Sequence, residues 1–211
     1  MSSETKTTLV QNWVLNAKEG VMALPRTIID PLCPTRFTRE AEPIRAAILS
    51  RAEFIERSKA EQDFRYKQII PYIVLQHARK FLLIRRTPKQ GETRLHDKFS
   101  LGIGGHINTI DKAEGDILET GMRRELNEEI KVHREEACRL VGVINDDTKE
   151  VDRVHLGLVY LLTCKTPGFT NREPEAYTAL WQTPDEIAAV LEQMESWAKI
   201  VYEKVIRNKP A

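Results

Sequence analysis

The segment that most constrains the fold is Gly104–Val132, in which a pair of glycines leads through a loop into a run of helix-forming residues from Asp116. Each residue of an α-helix turns the chain by roughly 100°. Glu125 and Glu129 therefore lie one turn apart on one face, and Glu128 lies beside them. A neighbouring apolar stripe, which would anchor the helix on a core, consists of Leu118, Met122 and Leu126.

The three carboxylates near the end of this helix predict a metal site. Like charges at this spacing destabilise a helix. A hard divalent cation with oxygen ligands would reverse that effect, and Mg²⁺ is the usual choice. The alternative is a solvated helix face held by ion pairs such as Arg124 with Glu128. The metal site is favoured because an apolar strand and the pair Gly104 and Gly105 precede the helix.

The segment resembles the signature of the Nudix hydrolases, which reads Gly, five residues, Glu, seven residues, then Arg-Glu-aliphatic-any-Glu-Glu-any-Gly-aliphatic. The run Arg124–Glu129 matches in full, and Val132 supplies the final aliphatic residue. Three features depart from the pattern. Asp116 stands for the Glu at the helix start, Lys131 stands for the late Gly, and the loop between Gly105 and Asp116 is longer by five residues.

The resemblance implies a MutT-like enzyme that hydrolyses a diphosphate bond in a nucleoside diphosphate derivative or a related molecule. It implies Mg²⁺, with Mn²⁺ as the alternative, on the carboxylates of Glu125, Glu128 and Glu129 and the backbone carbonyl of Gly104. These glutamates and Arg124 form the implied catalytic set, in which Arg124 orients the carboxylates. A bound metal would neutralise developing charge and lower the pKa of water.

Two further roles are assigned less narrowly. A general base must take a proton from the attacking water, and its candidates are Glu128, Glu129, Glu173 and Glu175. Arg85 and Arg86 are candidates for binding the substrate, because a guanidinium fork matches phosphate oxygens. The alternative for both arginines is a solvated strand end.

Outside the signature, apolar runs separated by polar turns predict strands at 68–76, 80–87, 99–103, 139–144 and 154–164. Pro71 predicts an edge or a bulge in the first of them. Thr183 and Pro184 mark the start of a helix that continues to about residue 206, either straight or with one bend. The order resembles the Nudix fold and predicts an α/β class, an α/β/α sandwich with a mixed sheet. The signature helix would cover one face and the C-terminal helix the other.

Residues 1–65 are predicted to form a partly helical N-terminal extension, followed by a Nudix hydrolase domain at 66–207. Pro43 suits the first turn of a helix, and apolar residues continue at helical spacing to about Arg57. We expect the extension to pack on the domain or to make a homodimer contact.

The lengthened loop is expected to leave Gly104 and the signature helix in their usual relation. Its residues Asn108–Gly115 would then bulge outward. Added length in a flexible loop costs little, roughly 0.6 kcal/mol for each doubling.

Composition excludes several classes. The net charge of +1 over 211 residues provides no general attraction for nucleic acid. No apolar run approaches the ~20 residues that span a bilayer, and the N-terminus lacks the order of a secretory signal. Three cysteines without a C-x-x-C pair indicate free thiols in a reducing compartment. We expect a cytoplasmic protein whose partner is a small nucleotide-derived diphosphate, with no membrane contact.

Two other function classes remain open from the sequence. The first is a Nudix-fold binding or regulatory protein with weak catalysis, and the intact carboxylate cluster argues against it. The second is a hydrolase that decaps or processes RNA. The near-neutral charge and the absence of a dense Lys/Arg tract argue against that class.

Overall fold

The computed structural model describes residues 20–87, 98–112 and 115–207. The strands in these ranges are β1 (Gly20–Pro25), β2 (Phe37–Thr38), β3 (Glu53–Glu56), β4 (Tyr66–His77), β5 (Lys80–Arg86), β6 (Phe99–Ser100), β7 (Ile130–Val132), β8 (Glu135–Ile144), β9 (His155–Cys164), β10 (Phe169–Asn171) and β11 (Tyr177–Gln182). The α-helices are α1 (Arg26–Leu32), α2 (Ala41–Arg51), α3 (Arg57–Ala60), α4 (Ile117–Glu129), α5 (Pro184–Ala188) and α6 (Ser196–Val201).

A mixed sheet with the main order β11-β5-β4-β9-β8-β2 forms the middle layer. Its central strands β4 and β9 run parallel, and their neighbours are antiparallel. The α4 side chains Leu118, Met122 and Leu126 belong to the apolar core on one face, which α1 and α2 also cover. Helices α5 and α6 pack on the other face through side chains such as Ile187 and Trp197. The predicted α/β/α sandwich with a mixed sheet is confirmed.

The C-terminal helix is interrupted, whereas the sequence predicted a helix from Thr183 to about residue 206 with at most one bend. Helix α5 ends at Ala188, and α6 begins only at Ser196 and continues into a π-helical turn. Between the two helices, the backbone N–H of Glu195 donates to the carbonyl of Phe99 at 2.9 Å. The chain is therefore drawn to the sheet at this point. Strand β11, which the sequence reasoning did not predict, pairs with β5 at the edge of the sheet.

Pro71 lies in a central strand without a bulge, so the predicted bulge was wrong, but the described strands β1 and β5 pair with β4 only at 66–68 and 76–77, which leaves a local edge at Pro71. On one side, β4 pairs with β9 in unbroken register. On the other side, Ile73 exchanges hydrogen bonds with Ile103, and Ile107 donates its N–H to the carbonyl of Ile69. By the alternation of a strand, Pro71 faces the gap between these two contacts, so its missing N–H removes no ladder hydrogen bond.

The N-terminal segment shares the sheet of the following residues. Strand β1 pairs antiparallel with β4 and with β3, and β2 pairs with β8. Helix α2 meets the start of α4 through an ion pair between Arg45 and Asp116. The division at residue 65 stays a prediction about folding units.

Within the described ranges, no helix is both long and apolar enough to cross a membrane.

Candidate active site

A cavity of about 640 Å³ brings the signature together with distant parts of the chain. Its wall contains Gly104, Gly105, Glu125 and Glu129 of the signature. Side chains from other elements complete it, among them Arg57, Arg86, Lys149, His155, Glu195 and Trp197. The cavity is therefore lined by both acidic and basic side chains, which come from several separate segments of the chain.

The two glycines that line the cavity allow neighbouring groups to approach the backbone closely. A Cβ atom on Gly104 would lie 1.8 Å from the carbonyl oxygen of Pro71. A Cβ atom on Gly105 would lie 2.3 Å from Oε2 of Glu125. The backbone oxygen of Pro71 leaves no room for a side chain at Gly104, and a side chain at Gly105 would displace the carboxylate of Glu125. The carboxylate of Glu125 therefore lies directly against the backbone of Gly105.

Arg124 joins the glycine loop to helix α4. Its Nε and Nη2 donate to the two carboxylate oxygens of Asp111 at 2.8 and 2.9 Å, and Nη2 also donates to the carbonyl of His106 at 2.8 Å. Its Nη1 donates to Glu125 at 2.7 Å and to Glu128 at 3.2 Å. One guanidinium thus holds the loop and orients two of the signature carboxylates.

Besides Glu125 and Glu128, Arg124 binds Asp111, an acid to which the sequence reasoning gave no role in the site. Asp111 directly follows the five residues after Gly105, so the spacing of the signature would have identified it. Asp116 instead caps helix α4, where its carboxylate accepts the N–H of Leu118 at 2.9 Å. The added residues therefore lie between Asp111 and Arg124.

The loop that was expected to bulge outward does so only in part, because two of its polar residues are buried while Ile110 is 70% exposed. Asn108 and Asp111 are buried, and residues Thr109–Asp111 form a short 3-10 turn. The carboxylate of Asp111 accepts the N–H of Asn108 at 2.8 Å. Because this carboxylate also pairs with Arg124, the turn is attached to helix α4. Residues 113 and 114 lie outside the described residues.

Lys131 replaces the late Gly of the signature without strain. Helix α4 ends at Glu129, and the next residue, Ile130, has extended dihedral angles. The chain passes directly into β7. No left-handed residue is needed at this helix end, so the glycine usual in such caps is dispensable.

The three signature glutamates differ in environment. Glu125 and Glu129 line the cavity, whereas the Glu128 side chain is 55% exposed and turns toward Arg124. Within the described ranges, no three His, Cys, Asp or Glu side chains converge as a ready-made metal site. Glu125, Glu129 and Gly104 nevertheless bring oxygen atoms to the same cavity, and oxygen ligands suit a hard divalent cation.

Burial controls the protonation of these acids. It raises the pKa of Glu129 to about 7, while Arg86 opposes the rise and Glu173 adds to it. Burial also raises the pKa of Glu125, and Arg124 opposes that rise. A cation beside the two carboxylates would favour their charged forms.

The two arginines at the end of β5 lie in different environments. Arg86 lines the cavity and pairs with Glu195, with 2.5 Å between Nε and Oε1. Arg85 is exposed outside the cavity wall, with its guanidinium 5.9 Å from the ring centre of Phe99. Glu195 was missed because the sequence pattern suggested that this position belongs to a continuing helix.

Two histidines from different elements meet in the cavity wall. Nδ1 of His155 lies 2.7 Å from the carbonyl oxygen of Val151, so this nitrogen carries the proton. Nε2 of His155 can then accept from Nε2 of His106 at 3.4 Å. Burial lowers the pKa of both rings, so the pair is neutral near pH 7. Sequence reasoning had assigned neither histidine to the site.

The other two candidates for the general base, Glu173 and Glu175, are exposed and lie outside the cavity wall. Their loop is nevertheless tied to the site. The N–H of Arg172 and the hydroxyl of Tyr177 both donate to the carbonyl oxygen of Glu129, at 2.9 and 2.8 Å.

Comparisons with known proteins identify the family of this chain. The NUDIX domain model matches residues 66–205. Protein YmaB of Bacillus subtilis (strain 168) is 36% identical over 174 residues, which cover 79% of this chain and 84% of YmaB. The crystal structure of Tm1382, described as a candidate Nudix hydrolase, aligns with a TM-score of 0.78 and 29% identity over 90% of this chain and 99% of that one. As its signature predicts, this chain belongs to the Nudix hydrolase family.

Proposed function

We propose that this protein hydrolyses the diphosphate bond of a small nucleotide-derived molecule with a divalent cation, Mg²⁺ or Mn²⁺. The observation that carries the proposal is that Glu125, Glu129, Gly104 and Arg86 line the same cavity. Oxygen ligands for a cation thereby lie in the same cavity as a guanidinium fork that suits phosphate oxygens.

The cation would be held by Glu125, Glu129 and the carbonyl of Gly104, with Glu128 joining once it leaves Arg124. When bound, it would neutralise charge on the diphosphate and lower the pKa of water. This ligand set follows from the oxygen donors on the wall and from the family signature that they occupy.

The other side chains act by position. Arg124 fixes the carboxylate of Glu125 through a 2.7 Å hydrogen bond and ties the glycine loop to the helix. Arg86, held by Glu195, would bind phosphate oxygens of the substrate. Both arginines keep their charge at any working pH, so their grip on oxygen would not vary with protonation.

The test is release of phosphate or a nucleoside monophosphate from a panel of nucleoside diphosphate derivatives and a capped RNA, with Mg²⁺ and then with EDTA. We expect metal-dependent turnover of at least one small diphosphate. Binding without turnover would favour a regulatory protein, and turnover of the capped RNA alone would favour RNA processing. Either result would overturn the proposal.

A further inference from the structure

The N-terminal segment reaches the cavity itself. The N–H of Met22 in β1 donates to the carbonyl of Ile107, two residues beyond the glycine pair, at 2.8 Å. A Cβ atom on Gly20 would lie 3.1 Å from Cγ2 of Thr109, so this strand lies close against the loop. Farther along the same segment, Arg57 lines the cavity.

The guanidinium of Arg57 is only weakly held by neighbouring side chains. Its Nε donates to Glu61 at 2.9 Å, one turn away, and both side chains are about half exposed. Within the part of the chain that the structure describes, no other hydrogen bond to this guanidinium is found. An exposed ion pair of this kind contributes little. The two terminal nitrogens of Arg57 can therefore receive an anionic oxygen pair.

The wall of the cavity contains a further basic group besides Arg57 and Arg86. Lys149 lines the same cavity, on a loop that the fully buried Lys67 holds. Nζ of Lys67 donates to the carbonyls of Asp146 and Asp152, both at 3.1 Å, and to the carboxylate of Asp147 at 2.8 Å. Lys67 thus holds both ends of the loop that carries Lys149.

The two cations come from elements at opposite ends of β4. Arg86 lies in β5, which pairs with the C-terminal end of β4 at Gln76 and His77. Arg57 directly follows β3, whose partner β1 pairs with the N-terminal end of β4 at residues 66–68. Arg57 and Arg86 therefore reach the cavity from different sides.

We propose that Arg57, supported by Lys149, binds a second anionic group of the substrate, a phosphate or carboxylate that is separate from the hydrolysed diphosphate. The N-terminal segment is then part of the active site and determines the class of substrate. This inference rests on the proposed function in placing the diphosphate at Glu125 and Glu129.

A binding experiment tests the site without turnover. Full-length ¹⁵N-labelled protein in EDTA is titrated with inorganic phosphate, and the arginine Nε–H resonances are followed by NMR. Loss of one resonance in Arg57→Lys identifies Arg57. We expect that resonance to shift with saturation, and the resonance of Arg51, exposed at the end of α2, to shift far less. Equal shifts of the two would overturn the proposal.

A kinetic experiment tests the substrate class with NAD and NADP, which share a diphosphate and differ by one phosphate. Arg57→Ala should raise KM for NADP about tenfold and leave KM for NAD within about twofold, with kcat little changed. The control is Lys59→Ala, an exposed residue of the same helix that pairs with Glu56. It should leave both substrates unaffected.

An equal effect of Arg57→Ala on NAD and NADP, or none on either, would overturn the assignment of Arg57. If neither dinucleotide is hydrolysed, the fault lies with the choice of diphosphate substrate, and the phosphate titration in EDTA still decides the role of Arg57.

Discussion

Arg124 and Asp111 form a two-point ion pair, with Nε 2.8 Å from one carboxylate oxygen and Nη2 2.9 Å from the other. The Asp111 side chain is 2% exposed. This pair closes the loop after the glycine pair onto helix α4. The position of Glu125 against Gly105 depends on that closure, because the same guanidinium holds Glu125.

Asp111→Asn should lower the free energy of unfolding by about 2–4 kcal/mol, because Arg124 loses the partner of a largely buried charge. Asp116→Asn should cost at most about 1 kcal/mol, since Asn also caps a helix. Urea unfolding of both variants in EDTA measures the difference. Equal losses would contradict the role of Asp111 as the tie between loop and helix.

Glu129→Gln should lower kcat roughly a hundredfold or more while the far-ultraviolet circular dichroism stays unchanged, because a cation ligand is lost. Glu119→Gln is the matched control on the same helix. Its side chain is 65% exposed and lies outside the cavity wall. Full turnover by Glu129→Gln at the Mg²⁺ concentration used for the native enzyme would refute the proposed metal site.

Glu129 should also make the stability of the metal-free protein depend on pH. Burial raises its pKa from 4.5 to about 7, so between these values the folded state binds more protons than the unfolded state. Its contribution to stability is therefore greatest below the ordinary pKa and is lost as the pH rises through 7. Relative to the native protein, Glu129→Gln should gain about 2 kcal/mol in unfolding free energy from pH 5 to pH 8.

That gain is measured by urea unfolding in EDTA at both pH values. The far end of the same helix supplies the reference, because Glu119→Gln should follow the native pH dependence. If the difference in unfolding free energy between Glu129→Gln and the native protein stays constant from pH 5 to pH 8, burial does not raise the pKa of Glu129.

Substitution of Arg86 and substitution of Arg85 should have different effects on KM. Arg86→Ala should raise KM by about tenfold or more, because a charge-assisted contact to phosphate is removed. Arg85→Ala should leave KM within about twofold, since this residue is outside the cavity wall. Steady-state kinetics on one substrate decides the matter, and similar KM values for both variants would contradict the assignment of Arg86.

The local patterns of the chain were sufficient for much of the fold. The spacing of Leu118, Met122 and Leu126 correctly placed one face of α4 on the core. Alternation and β-branched residues located β4, β5 and β9 to within a few residues. These elements were accessible because short-range periodicity dictates which side chains can be buried together.

Partners distant in sequence could not be read in this way. Glu195 reaches Arg86 only because the backbone at Phe99 draws the chain between α5 and α6 onto the sheet. Arg57 and Lys149 share a cavity although nothing in their local sequences links them. Asp111 was the exception, since the glycine spacing contained its signal and the helix start at Asp116 concealed it.

The parallel pairing of β4 with β9 affects how the protein is made. On the ribosome, Gln68 leaves the exit tunnel long before its neighbour His155 is synthesised. Until β9 arrives, β4 carries an apolar edge without a partner, and such an edge can recruit other nascent chains. Translation through the segment between them is therefore the interval in which this protein most needs a chaperone.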